Sequence, residues 1–204
     1  MVTEMNLSSL TAAAVAAALI AAASVLAFSA TPTLLVWAAF IGWASYDHSG
    51  ATLRVALRSS AGLVFGVVMA WAVAIVVAAG LLPLSAPLAT AVTAGVASFL
   101  IVLASAEPIL SVVPATFYGF ASMFAYLSLV PGAFAISAMT GLSWKNAIVV
   151  VPLSLLIGTG LGIAQGWLAK VLAASEAGAT ERWALRLDGS AIAQGESQKA
   201  RSPR

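Results

Sequence analysis

No cysteine occurs in the 204 residues, which excludes disulfides, thiolate metal sites and cysteine nucleophiles. Charge is nearly as scarce. Asp, Glu, Lys and Arg make up 8% of the chain, against about 25% in an ordinary soluble domain. So few charges cannot cover a water-exposed globule of this length, and the solvent for most of the surface must be lipid. Histidine occurs once, as His48, and no ionisable residue falls in the middle of an apolar segment. Ion- and proton-driven transporters usually carry one there, so an ion pump is disfavoured. Carboxylates do not cluster, and neither a Walker loop nor a dinucleotide fingerprint is present; enzymatic activity, a cofactor and a bound metal are not expected. A basic start is missing too: Met1 to Ser9 holds Glu4 and no Lys or Arg. Leu10 to Ser29 is also longer than the apolar part of a typical signal peptide, so it is expected to remain as a helix.

What the chain has in quantity is apolar residues, 62% of the total. A helix that crosses the hydrocarbon needs about 20 of them. The pattern predicts spans at Leu7 to Phe28, Thr33 to Tyr46, Val55 to Leu81, Leu88 to Ala106, Ile109 to Leu129 and Ala147 to Ala169. Pro32, Asp47-His48-Ser49-Gly50, Leu82-Pro83 and Glu107-Pro108 punctuate them. Pro114 is expected to interrupt the fifth span, because it lacks the N–H that a helix interior needs. Residues 131 to 146 form an apolar linker too short to cross, read either as a re-entrant half-helix or as a helix lying at the interface. Beyond Val171 polarity rises. Ser175 to Leu187 fits a short amphipathic helix with Trp183, Leu185 and Leu187 on its apolar side, and Asp188 to Arg204 is expected to be disordered.

A duplicated motif lies inside the apolar segments. Ala38-Ala39-Phe40-Ile41-Gly42-Trp43-Ala44-Ser45 recurs as Ala115-Thr116-Phe117-Tyr118-Gly119-Phe120-Ala121-Ser122, 77 residues later (115 − 38). Gly62-x3-Gly66-x4-Trp71 likewise recurs as Gly158-x3-Gly162-x4-Trp167, at an offset of 96 (158 − 62). Leu10 aligns loosely with Leu88. Three spans therefore have partners in order. Each copy holds an odd number of spans, so the second must insert upside down, an arrangement that transporters use to place a site at the repeat interface.

Ala38, Gly42 and Ser45 share one helix face, and Ala115, Gly119 and Ser122 repeat it. Such stripes serve one of two ends. They let helices cross tightly, or they line a narrow passage, with Phe40 and Phe117 as constrictions and Pro114 and Thr116 beside it. The Gly62, Gly66, Gly158, Gly162 and Gly166 series reads as helix packing, between subunits included. Asp47, His48 and Glu107 would form a mouth. Asp47 and His48 are adjacent, so they point about 100° apart on a helix and do not form a mutual pair; Glu107 reads first as a helix-start carboxylate. Lys145 beside Trp144 reads as an interfacial anchor.

Basic residues set the orientation. With six spans, Arg54, Arg58, Lys170 and the tail share one side and Lys145 lies on the other. Both termini, and the mouth at Asp47, His48 and Glu107, are therefore expected in the cytoplasm. No basic patch interleaves with aromatics, so nucleic acid is not an expected partner.

At Trp37-Ala38-Ala39-Phe40-Ile41-Gly42, at Ser111-Val112-Val113-Pro114-Ala115-Thr116-Phe117-Tyr118-Gly119 and at Trp144-Lys145 the chain resembles the domain-of-unknown-function 1097 family of bacterial inner-membrane proteins. The resemblance covers roughly Ala30 to Leu168. It implies a bacterial plasma membrane and carries over no functional residue.

The resulting expectation is an all-α integral membrane protein, six helices in two inverted three-helix repeats. Residues 1–82 and 83–170 are the repeats, and residues 171–204 a basic, partly disordered cytoplasmic tail. It would pass a small neutral or weakly polar solute between the second and fifth spans and associate with copies of itself. The alternative is a structural or partner-binding membrane protein with no solute pathway.

Overall fold

The computed structural model describes the backbone of residues 7–200 and the side chains of residues 9–174. Among the described residues there are seven α-helices, one 3-10 turn and no strand. The helices are α1 (Leu7–Ser29), α2 (Val36–His48), α3 (Leu53–Ala78), α4 (Ala86–Ala104), α5 (Val113–Leu129), α6 (Ile136–Thr140) and α7 (Ala147–Ala200), with the 3-10 turn at Pro108–Leu110. Four apolar stretches are long enough to cross a membrane: Ser9–Ser29, Leu53–Ala78, Ala86–Ala104 and Ala147–Ala174. The chain is thus a multi-pass membrane protein by the length and apolarity of its helices. Of the six expected spans, four thus coincide with long helices, and the remaining two with shorter ones. α5 has 17 residues and α2 has 13, the latter only about 20 Å long at 1.5 Å per residue.

Lipid as solvent is visible in what α4 leaves uncovered. Leu88, Val92, Val96, Phe99, Leu100, Val102 and Leu103 are all exposed large hydrophobics. A single-helix face of that size is stable only where the surroundings are also apolar.

The chain divides into two compact units. The smaller joins residues as far as Leu19 to those from Gln165 onward. There Ala12 and Ala16, one turn apart, are buried, and the Gln165 side-chain amide donates to the Ala13 carbonyl at 3.4 Å. The larger, Ile20–Ala164, contains both motif helices. Its core gathers Ala38, Leu63, Val67, Ala70, Ala74, Ala115, Met123, Met139, Val151 and Leu155.

Several boundaries differ from expectation, each for a local reason. α5 starts at Val113, with Pro114 in its first turn. The missing N–H is one that no helical carbonyl would have received, so Pro114 begins the helix and does not interrupt it. Pro108 opens the separate 3-10 turn, and Glu107 precedes it without a side-chain capping bond. α3 is capped at its start by Thr52, whose hydroxyl accepts from the Val55 N–H at 3.3 Å. α7 runs on as helix to Ala200, through the stretch where a helix was expected at Ser175 to Leu187. The Ala, Gln, Glu and Lys residues between positions 191 and 200 are good helix formers. The interfacial role expected for Trp183, Leu185 and Leu187 lies outside the described side chains.

Candidate functional site

Glycine at Gly42 removes a side chain where α2 meets α7. A Cβ there would fall inside the Leu155 carbonyl of α7, and a Cβ at Gly158 would fall inside the Ala39 carbonyl of α2. Each glycine thus admits the other helix's backbone. The same device joins α5 to α3: Gly119 admits the Leu63 carbonyl, and Gly66 admits the Thr116 carbonyl. Close approach of backbones is what small residues supply to helix crossings in membranes.

The two crossings correspond residue for residue. Gly42 and Ala39 on α2 match Gly119 and Thr116 on α5 at the expected offset of 77. Leu155 and Gly158 on α7 match Leu63 and Gly66 on α3, but at an offset of 92 (158 − 66). The expected offset of 96 is therefore one helical turn too long. At 92 the burial patterns coincide as well. Ser59, Gly62, Leu63, Gly66, Val67 and Ala70 are buried, and so are their counterparts Val151, Ser154, Leu155, Gly158, Thr159 and Gly162.

Contact order gives the directions. Along α2 and its N-terminal flank, the Leu35 N–H meets the Ser154 hydroxyl at 3.0 Å, Ala39 meets Gly158, and Tyr46 meets Gly162. The positions ascend on both helices, so α2 and α7 run the same way. α3 and α5 also run together, Gly62 lying against Ala115 and Thr116 and Gly66 against Thr116 and Phe120. α2 and α3 are joined by only four residues, 49–52, and fold back on each other where the Ser45 and Ser59 hydroxyls meet at 2.7 Å.

Gly42 and Gly119 are closed on neighbouring backbones. Gly62, Gly66, Gly158 and Gly162 are likewise occupied by residues of the same chain, at Gly162 by the rings of Tyr46 and Trp43. Gly166 has nothing within 4 Å in the same chain. Phe40 is half-buried, with its ring 6.1 Å from that of Trp43 on its own helix, and Phe117 is half-buried on α5. Pro114 is exposed at the start of α5, and Thr116 is buried in the α3 crossing.

The buried polar side chains near the crossings are hydroxyls: Ser45, Ser59, Thr116, Ser122, Ser154 and Thr159, none of them ionisable. Among the described residues, Ser122 carries the one buried side-chain oxygen without a hydrogen-bond partner. The repeat correspondence supplies the reason. Ser122 is the counterpart of Ser45 (122 − 77), but the counterpart of Ser59 is Val151 (151 − 92), which offers no hydroxyl. The two copies should therefore respond oppositely to the same substitution. Ser45→Ala strands Ser59 and lowers stability by about 1 kcal/mol, whereas Ser122→Ala removes an unpaired polar group and leaves stability equal or higher. Unfolding titrations in detergent compare them. Equal losses for both would contradict the assignment.

At the α2 end, His48 Nδ1 lies 3.3 Å from the Tyr118 hydroxyl of α5, the rings meeting edge to face. Asp47 is exposed, one turn after Trp43 on the same helix. Glu107 is exposed. Among the described residues no three His, Asp or Glu side chains gather as a metal site would require.

At the far end sits an arrangement the sequence did not single out. Asn146 is buried and donates through Nδ2 to the carbonyls of Met139, at 2.9 Å, and Gly141, at 2.8 Å. Its Oδ1 accepts from the Ile148 N–H at 3.1 Å, and its own carbonyl accepts from Val149 and Val150. Trp71 Nε1 donates to the same Met139 carbonyl at 3.1 Å. An asparagine just before a helix is the available signal for such a cap. Of the linker only Met139 and Ala133 are buried before Asn146.

In comparisons with known proteins, the family described as Protein of unknown function (DUF1097) matches residues 14–170. No curated protein and no solved structure matches.

Proposed function

The chain belongs to the DUF1097 family, and we propose that it crosses the bacterial plasma membrane six times as two inverted three-helix repeats and passes a small uncharged solute at their seam. The observation that carries this reading is the reciprocal pair of crossings. Each motif helix packs on the last helix of the other repeat: α2 on α7, and α5 on α3. α2 runs with α7, α3 runs with α5, and α2 opposes α3, so the motif helices oppose each other. That supports inversion, and the same directions fit α2 and α5 as crossing elements despite their length. The basic residues put both termini in the cytoplasm. The seam offers hydroxyls and no charge, a lining that suits a neutral or weakly polar solute and rejects an ion.

The closed glycines change the useful experiment. Gly42→Leu and Gly119→Leu would force the helices apart, so they report on packing. Thr116→Val keeps the shape and removes a hydroxyl. Proteoliposomes should swell faster in isosmotic urea or glycerol than empty liposomes, and Thr116→Val should change that rate several-fold. Swelling equal to empty liposomes for every neutral solute tried would refute the passage reading.

One observation favours a second reading, a membrane scaffold with no conduit: all four crossing glycines are filled by backbone of the same chain. Swelling that is absent while the protein is monodisperse and helical would select it.

A further inference from the structure

We propose that the hollow between α3, α6 and the start of α7 binds an uncharged, largely apolar small molecule that reaches it from water. The hollow holds about 550 Å³ and is lined by Trp71, Met139, Leu142, Trp144, Asn146 and Val149 among others. That volume lies within the usual range for a small-molecule cleft, roughly 300–1,000 Å³. This site requires no conduit and stands independently of the passage reading.

Its chemistry follows from how its polar groups are used. Trp71 Nε1 and Asn146 Nδ2 are spent on carbonyls of the hollow's own wall. The Thr140 hydroxyl donates to Ile136 at 2.8 Å, and the Ser143 hydroxyl accepts from the Lys145 N–H at 3.1 Å. No acidic or basic side chain lines the hollow. A charged ligand would lose its hydration with nothing to replace it, while an apolar body gains from contact with two indoles, Met139 and Val149. Two neighbours support entry from water. Lys145 is exposed beside the lip, and the hollow lies at the first turn of α7, not midway along it.

The repeat supplies an independent argument. α2 and α3 are joined by four residues, 49–52, but α5 and α7 by the seventeen of 130–146. The extra chain has no part in either crossing. It is the segment that builds the hollow: Met139 is 1% exposed beneath it, while Leu142 and Trp144 stand at its lip 107% and 84% exposed. Both line the hollow, so an apolar guest seated in it would cover part of their surface.

The test is equilibrium binding to the full chain in nanodiscs, with empty nanodiscs as reference. The probes are 2-naphthalenemethanol, uncharged, and 2-naphthoate, its anionic analogue. We expect saturable one-to-one binding of the alcohol, at least about tenfold tighter than the anion, a difference of about 1.4 kcal/mol. Trp144→Ala, at an exposed position, should weaken it several-fold, and Val149→Trp should abolish it by filling the space. Val96→Trp, in the lipid-facing crevice between α3 and α4, should leave it unchanged. Uptake no greater than in empty nanodiscs, equal affinity for the anion, or loss through Val96→Trp in place of Val149→Trp would each overturn the proposal. Circular dichroism confirms that the Val149→Trp chain is folded, and Trp144→Ala carries the test should it not be.

Discussion

Gly158→Ala should cost about 3 kcal/mol, the upper end of overpacking penalties, because the added methyl would occupy the volume of the Ala39 carbonyl oxygen. Side chains can turn aside from a small intrusion, but a carbonyl held in a helix cannot. The relief must come from moving α2 away from α7, which loses contacts along the whole crossing. Gly66→Ala should behave alike, since its methyl would meet the Thr116 carbonyl and the Phe120 N–H of α5. Gly95→Ala and Gly160→Ala are the controls. Both positions face open space inside helices, where replacing glycine by alanine gains about 0.5–1 kcal/mol. Unfolding by denaturant in a fixed detergent, followed by circular dichroism, measures all four. A loss below 1 kcal/mol at Gly158 and Gly66 would mean that the backbones are not in contact.

Asn146→Ala should have the next largest effect, about 2–3 kcal/mol. It deletes three hydrogen bonds from a buried site, each worth about 1 kcal/mol net, and leaves the Gly141 carbonyl and the Ile148 N–H without those partners. The loss is local, so it should show first as release of residues 131–146. Hydrogen exchange should quicken across that segment while α3 and α5 keep their protection. Asn146→Asp keeps the acceptor for Ile148 but sets a carboxylate oxygen against the Met139 and Gly141 carbonyls, so it should cost at least as much as Asn146→Ala. Unchanged exchange in residues 131–146 for Asn146→Ala would show that α6 is held by other contacts.

The sequence by itself determined the class. Scarce charge and long apolar runs dictate helices in lipid, because backbone groups in hydrocarbon must bond within their own segment. It also determined which residues repeat and which face they share: Ala38, Gly42 and Ser45 fall on one side of α2 through helical spacing alone. Spacing names a face, however, and not its partner. Whether Gly42 would meet α5 or α7 was undecided, since a stripe of small residues accepts any backbone that approaches it. The register of the second pair was equally hidden. Offsets of 92 and 96 differ by four residues, close to one turn of 3.6, so both put glycine on the same face of α3 and α7. Residue identities chose 96, and the carbonyls seated over Gly66 and Gly158 chose 92. Pro114 was legible as a helix boundary only once the preceding 3-10 turn had ended the fifth segment's first part. Tertiary structure alone decided the crossings, the isolation of the Ser122 hydroxyl and the hollow under Trp144, because each depends on which backbone lies within an atom's width of another.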